Sequence, residues 1–244
     1  MKEIAWSELG FSWMDTKCFL RSSFDGKRWS ALEALTDPMI SVHVAATALH
    51  YGQAAFEGLK AFTMKDGRIA SFRPEENARR MARTAARVMM EPVPEDLYLE
   101  AVDLVIAKNR EFVPPYGTGA SLYIRPLLFG SGPRIGVQPA ETYGFYVLAM
   151  PVGPYYKDGF KPVRAMVQEE YDRAAPRGVG NVKVGGNYAA GMLADKKSKE
   201  KGYPILVTRA IRDLLPEERQ SGCVPLGPVR LKGKQREVEI FGVR

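Results

Sequence analysis

The chain has 244 residues, of which 45% are hydrophobic, 26% charged and 10% aromatic, with 23 glycines and 17 prolines. Those are globular proportions, and they exclude a disordered, collagenous or coiled-coil chain as a whole-length description. Lys and Arg number 35 against 28 Asp and Glu, a net charge of +7, which favours anions such as phosphate, carboxylate or nucleic acid without choosing among them.

Cys18 and Cys223 lie far apart, with no CxxC pair and no second His/Cys cluster. Reduced thiols are therefore expected rather than a disulfide framework or a zinc site, and no metal is expected. The opening MKEIAWSELGF has no apolar core of the kind a secretory signal needs. The longest apolar stretch, about Tyr143 to Val152, is too short for a membrane helix. These features set the expectation of a soluble, cytoplasmic protein with no membrane partner.

In chain order, Ala61 to Met64 and Arg68 to Phe72 flank Lys65-Asp66-Gly67 and predict a hairpin. Pro74 suits a first helical position, Glu75 and Glu76 suit the first turn, and Ala78, Met81, Ala85, Val88 and Met89 recur at helical spacing until Pro92. A second helix is predicted from about Glu95 to Phe112, with Leu97, Ala101, Leu104 and Val105 on one face and Pro114-Pro115 beyond. Strands are predicted over Ser121 to Phe129, Tyr143 to Met150 and Val163 to Glu169. Hairpin, helices and strands in this order indicate an α/β (α+β) domain. His43 and His50 are read as packing residues, since no metal cluster accompanies them.

The segment RAAPRGVG, 173–180, breaks every periodicity and reads as a linker. Asn187 to Lys201 then predicts a helix ending at Gly202, and Tyr203 to Thr208 a buried strand. The expected organisation is an N-terminal domain over 1–172, the linker 173–180, the start of a second domain over 181–208, and a basic, proline-containing tail over 209–244. AIRDLLPEERQ in that tail suggests a short helix broken at Pro216, and REVEIFGV a lone strand.

Within GVGNVKVGGNYAAG one lysine, Lys183, stands between valines and ahead of Gly185-Gly186. The segment has neither GxxxxGK[ST] nor GxGxxG, so it is not a nucleotide loop. A lysine that loses hydration among apolar neighbours becomes a better nucleophile toward a carbonyl, and a Gly-Gly turn lets a flat group approach the backbone. On local physics alone the preferred reading of the same residues is a solvated surface lysine, with the nucleophile as the alternative.

Four segments occur together and in order: HYGQAAFEGLKAF, FRPEENARRM, LYIRPLLFGSGPRIGVQPAETYGFYVLAMPVGPYY and RAAPRGVGNVKVGGNYAAGMLADKKSKEKGY. This set closely resembles the branched-chain aminotransferases, pyridoxal 5'-phosphate enzymes of the fold-type IV class, from the N-terminus to about Val207. The resemblance implies a small N-terminal α/β domain followed by a cofactor-binding domain. It implies that Lys183 carries the cofactor as a Schiff base and moves the proton in catalysis. Tyr188 resembles the tyrosine that bonds the ring hydroxyl, and Arg80 the arginine that binds the phosphate, a task suited to a guanidinium fork. Arg79, beside it, is expected to face solvent. Tyr51, Phe56, Tyr123 and Tyr155 match the aromatics of the substrate pocket, and Arg125 the arginine serving the carboxylate substrate. Ile135 and Val137 match a loop that reaches the neighbouring subunit's site, which implies a homodimer.

After about Val207 the resemblance ends, where the family continues with a glutamate for the pyridine nitrogen and further phosphate donors. A C-terminally truncated or divergent member with an incomplete second domain is therefore expected. Glu217, Glu218, Glu237 and Glu239 lie outside the family context and receive no role. The leading functional expectation is transfer of the amino group of L-leucine, L-isoleucine or L-valine to 2-oxoglutarate. An inactive remnant that retains dimerisation or weak cofactor binding is the second, and nucleic-acid binding, motivated by charge alone, the third.

Overall fold

The computed structural model describes residues 4–154, 165–166, 171–200, 205–206, 223–230 and 237–243, the side chains only within 4–154 and 171–200. Two compact units result: residues 1–159 with 182–185, and residues 160–181 with 186–244. The first unit thus includes Lys183. The second includes the strand Ala165–Met166, which the sequence pattern alone assigns to the N-terminal domain.

The first unit is built on seven antiparallel strands: β1 (Phe19–Phe24), β2 (Glu33–Leu35), β3 (Ala54–Phe56), β4 (Leu59–Thr63), β5 (Ile69–Ser71), β6 (Ser121–Gly130) and β7 (Tyr143–Val152). Their order is β2-β1-β7-β6-β4-β5, with β3 also paired to β6. The long pair β6 and β7 is the spine, in a register that sets Tyr123 opposite Met150 and Ile124 opposite Ala149. Alternation assigns the faces. Leu122, Ile124 and Leu128 of β6, with Phe145, Val147 and Ala149 of β7, are fully buried in the core, whereas Tyr123, Arg125 and Leu127 stand half-buried on the opposite face of β6.

The hairpin forms as expected, Ala61 pairing with Ser71 and Thr63 with Ile69, and Gly67 takes the positive φ of 82° that its turn requires. Helix α1 (Thr47–Tyr51) is short, while α2 (Pro74–Arg87) and α3 (Glu95–Lys108) share the core with the sheet. On α2 the buried positions are Ala78, Met81, Thr84 and Ala85. The helix ends before Val88 and Met89, the last two positions of the expected apolar run. Met89 is left-handed, with φ 56°, and the amides of Met89 and Met90 bond back to the carbonyls of Ala86 and Ala85. That closure satisfies the last turn and leaves Met89 exposed. Gln53 adds to it, donating to the carbonyls of Val88 and Met89 while its Oε1 accepts from Thr47 and from the Ala140 amide.

On α3 the buried face is Tyr98, Ala101, Val102 and Val105, with Leu97 and Leu104 at its margin rather than at its centre. Tyr98 decides this, because its ring stacks on Phe145 at 6.0 Å and takes the central position. Asn109, fully buried, clamps the start of the sheet to α3: it accepts from the Cys18 amide and donates to the carbonyls of Cys18 and Val105. His43 and His50 are exposed, contrary to the packing role expected of them. His43 Nδ1 meets the Ala45 amide and His50 Nε2 the Val44 carbonyl, so each serves a local turn.

The second unit holds four strands in the order β10-β11-β8-β9, where β8 is Ala165–Met166, β9 Ile205–Leu206, β10 Cys223–Arg230 and β11 Glu237–Val243. β8 and β9 run parallel and the other pairs antiparallel. The segment expected as a lone strand is therefore paired on both sides, by β10 and by β8. The helix expected over 187–201 divides into α4 (Gly186–Ala189) and α5 (Met192–Glu200), with Gly191 between them, a residue that adds little to helix stability. The segment 173–180 closes on itself: the Gly178 amide bonds the Ala175 carbonyl, and Asn187 Nδ2 donates to the Val179 carbonyl at 2.6 Å. The helix expected around Pro216 lies outside the described residues. Among the described residues no helix is long and apolar enough to cross a membrane, and no group of three or more His, Cys, Asp and Glu gathers to hold a metal.

Candidate active site

The chemistry-bearing residues of the first unit converge where β3, β4, β6 and α2 meet. Between β3 and β4 the chain passes through Glu57 and Gly58, held to the sheet by the Glu57 amide on the Pro126 carbonyl at 2.8 Å. Phe56, the last residue of β3, carries two cations over its ring: Lys183 Nζ at 4.5 Å from the centroid and the Arg125 guanidinium at 4.7 Å. Ring faces attract cations, most of all where water is thinned out. Arg125 also donates to the Tyr123 hydroxyl from Nη2 at 2.8 Å and from Nε at 3.2 Å, the two residues lying two apart on the same face of β6.

The backbone of Lys183 is fixed independently of its side chain. Its carbonyl accepts the Phe56 amide at 3.1 Å, and its own amide donates to Thr84 Oγ1, also at 3.1 Å. Thr84 is fully buried on α2 and donates in turn to the Arg80 carbonyl at 3.0 Å. The helix that carries Arg80 thus also anchors the lysine, one turn further on. Arg80 makes a two-pronged ion pair with Glu57, Nε to Oε1 at 2.6 Å and Nη2 to Oε2 at 2.7 Å. The Glu57 side chain is 0% exposed and that of Arg80 47%. Asn77 Nδ2 adds a third bond to the same carboxylate at 2.8 Å.

Next to this pair, Tyr98 holds a buried hydroxyl that has no partner among the described residues. Burial first, and the negative charge of Glu57 second, push its phenol well above the ordinary range. Gly58 is required by closeness: a Cβ there would stand 2.3 Å from the Tyr123 hydroxyl.

Five of the residues singled out from sequence therefore come together in one unit: Lys183, Phe56, Tyr123 and Arg125 in one cluster, and Arg80 tied to it through Thr84 and Glu57. Tyr51, Ile135 and Val137 form a second group, in which the Tyr51 hydroxyl bonds the Ile135 carbonyl. Tyr51 and Val137 border a cavity of about 300 Å³ with Gln53, Arg87 and Gln138. Ile135 and Val137 are exposed, as is Tyr188, which sits in α4 of the second unit. Tyr155 lies outside the described residues. Arg79 faces outward as expected and pairs with Glu76 and Glu95.

Glu57, Asn77, Thr84 and Gly58 were not singled out from sequence. Glu57 carried a signal, as a lone acid in the otherwise apolar run AAFEGL. Thr84 and Asn77 carried none, since a polar residue on an amphipathic helix is ordinarily solvated.

The arrangement brings three basic side chains into one unit, Lys183 and Arg125 over the Phe56 ring and Arg80 on the buried carboxylate of Glu57. It suits a ligand with anionic groups and a carbonyl that a primary amine can attack. Residues 54–210 match the family described as class IV amino-transferase. A branched-chain-amino-acid aminotransferase of Haemophilus influenzae is 47% identical over 205 residues, which cover 84% of this chain and 59% of that protein. The solved branched-chain amino acid aminotransferase of Escherichia coli superposes with a TM-score of 0.61 at 29% identity, over 72% of this chain and 57% of that one. The branched-chain amino acid aminotransferase of Thermobaculum terrenum, solved in its PLP-form, shares the fold with a TM-score of 0.61 at 18% identity, over 80% and 59% of the two chains. The chain spans less than two thirds of the length of each.

Proposed function

Because this chain belongs to the class IV amino-transferase family, we propose that it serves transamination of branched-chain amino acids with pyridoxal 5'-phosphate, passing the amino group of L-leucine, L-isoleucine or L-valine to 2-oxoglutarate. The carrying observation is the placement of Lys183 Nζ and the Arg125 guanidinium over one ring, Phe56, with the lysine backbone bonded to the helix of Arg80. The donor set fits the cofactor: a primary amine for its aldehyde and a guanidinium for its phosphate.

When bound, pyridoxal phosphate supplies an electron-accepting ring that stabilises charge at the amino acid's Cα. The residues of this chain do the rest. Lys183 Nζ would hold the cofactor at its aldehyde carbon and, when freed by the substrate amine, would take up and return the Cα proton. Arg80 would hold the phosphate, and Tyr188 is the residue assigned to the ring hydroxyl. Arg125 receives the substrate's carboxylate, steadied by Tyr123. Tyr51, Phe56, Tyr123 and Tyr155 shape the apolar pocket for a branched side chain. Ile135 and Val137, 64% and 85% exposed, are accessible to the site of a second copy in a homodimer. A cytoplasmic location belongs to the same reading.

The test is borohydride reduction of the full chain with pyridoxal phosphate, followed by peptide mass analysis and an L-leucine/2-oxoglutarate assay, beside Lys183→Ala. An adduct mapped to Lys183, absent from the variant, and formation of glutamate are expected. An adduct on other lysines would overturn the assignment of Lys183. An adduct on Lys183 without turnover would favour the inactive remnant.

A further inference from the structure

We propose that Glu57 is a positioning residue for the phosphate-binding arginine: it holds the Arg80 guanidinium ready for the cofactor phosphate. This rests on the reading of Arg80 given above.

A carboxylate fully removed from water persists only where charge and hydrogen bonds replace its hydration. Glu57 has both. Arg80 engages each of its oxygens, Asn77 adds a bond at 2.8 Å, and the Gly58 amide lies 3.3 Å from Oε2. The carboxylate is itself fixed, because the amide of Glu57 is bonded to β6 and the flanking strands β3 and β4 both pair with β6. Glu57 therefore acts as a rigid anchor rather than a mobile surface acid.

The exposures of the pair define a direction. Glu57 is 0% exposed and Arg80 47%, so the guanidinium extends from a buried anchor toward solvent, where an anion can arrive. A long side chain otherwise samples many rotamers, and binding has to restrict them. A two-pronged pair at 2.6 and 2.7 Å fixes the plane of the guanidinium in advance. The same helix fixes Lys183 through Thr84, so the groups for phosphate and aldehyde share one scaffold.

The opposite effect is also physical: a carboxylate that neutralises Arg80 would weaken its pull on phosphate. The two signs separate in one experiment on the full chain. Dissociation constants for pyridoxal phosphate and for pyridoxal, which lacks the phosphate, are measured by absorbance titration for wild type, Arg80→Ala, Glu57→Gln and Asn77→Ala. The pyridoxal constant divided by the pyridoxal phosphate constant isolates the phosphate contribution, and pyridoxal binding alone reports whether Lys183 and the fold are intact.

Arg80→Ala is expected to collapse the ratio. Glu57→Gln should lower it about tenfold with pyridoxal binding unchanged, the scale of one charge-assisted hydrogen bond. Asn77→Ala, which alters no charge and loosens only the anchor, should lower it by about threefold; it decides the question if Glu57→Gln fails to fold. A ratio that collapses in Arg80→Ala but is unchanged or raised in the Glu57 and Asn77 variants overturns this inference alone. A ratio untouched by Arg80→Ala overturns the phosphate role of Arg80 and this inference with it.

Discussion

Gly58→Ala isolates one contact that the site depends on. Gly58 lies outside the positive-φ region, so alanine meets no backbone penalty there and the effect is steric. The new methyl carbon would stand 2.3 Å from the Tyr123 hydroxyl oxygen and 3.0 Å from Cζ, where ordinary contact begins at 3.4 Å. The ring must move by about 1 Å (3.4 − 2.3 = 1.1). It is not free to do so cheaply, since its hydroxyl accepts two bonds from Arg125 and its edge meets Phe11 at 6.0 Å between centroids. Overpacking of this kind costs about 1–3 kcal/mol, and each kcal/mol lowers the midpoint of a chain this size by about 2–4 °C. The expected result is a melting temperature lower by roughly 2–12 °C, with an altered near-UV tyrosine signal. Tyr123→Ala removes the clashing ring, so Gly58→Ala should cost almost nothing in that background. Additive costs in the double variant, or an unchanged melting temperature for Gly58→Ala, would refute the reasoning.

Thr84→Val keeps the shape of the side chain but removes the acceptor of the Lys183 amide; a loss of about 1–3 kcal/mol and faster hydrogen exchange at Lys183 are expected, and unchanged exchange would show that the amide is held elsewhere. Tyr98→Phe deletes a buried hydroxyl that has no partner among the described residues and should raise stability by about 1 kcal/mol at neutral pH, read from urea midpoints; a loss of that size would reveal a partner. The phenol of Tyr98 is held above its ordinary range, so the unfolded chain releases this proton near pH 10 while the folded chain keeps it. The unfolded state then binds fewer protons, and stability falls as pH rises through about 10; Tyr98→Phe should flatten that part of the curve.

Much of this was legible in the order of residues. The hairpin, α2 and the long strands β6 and β7 follow from local pattern, because turn chemistry and periodicity act over a few residues. The motifs around Lys183, Arg80 and Arg125 identified the family by likeness. Local pattern misplaced the end of α2, where Met89 takes a left-handed conformation that a glycine would have advertised. It placed Ala101 and Val105 on the buried face of α3 but set Leu97 and Leu104 beside them in place of Tyr98 and Val102, because only the stacking of Tyr98 on Phe145 decides which face is deepest. It also left the C-terminal strand without a partner, although β11 pairs along its length with the neighbouring β10, and only its pairing with β8 joins segments distant in the chain.

The site divides in the same way. Which lysine and which two arginines the proposed chemistry would use is read from residue type and motif, and so from the sequence. That Glu57 is buried against Arg80, that Thr84 holds the lysine backbone and that Phe56 lies beneath two cations depend on elements far apart in sequence packing at a few ångströms. Burial and pairing are relations between distant residues, and only the tertiary structure decides them.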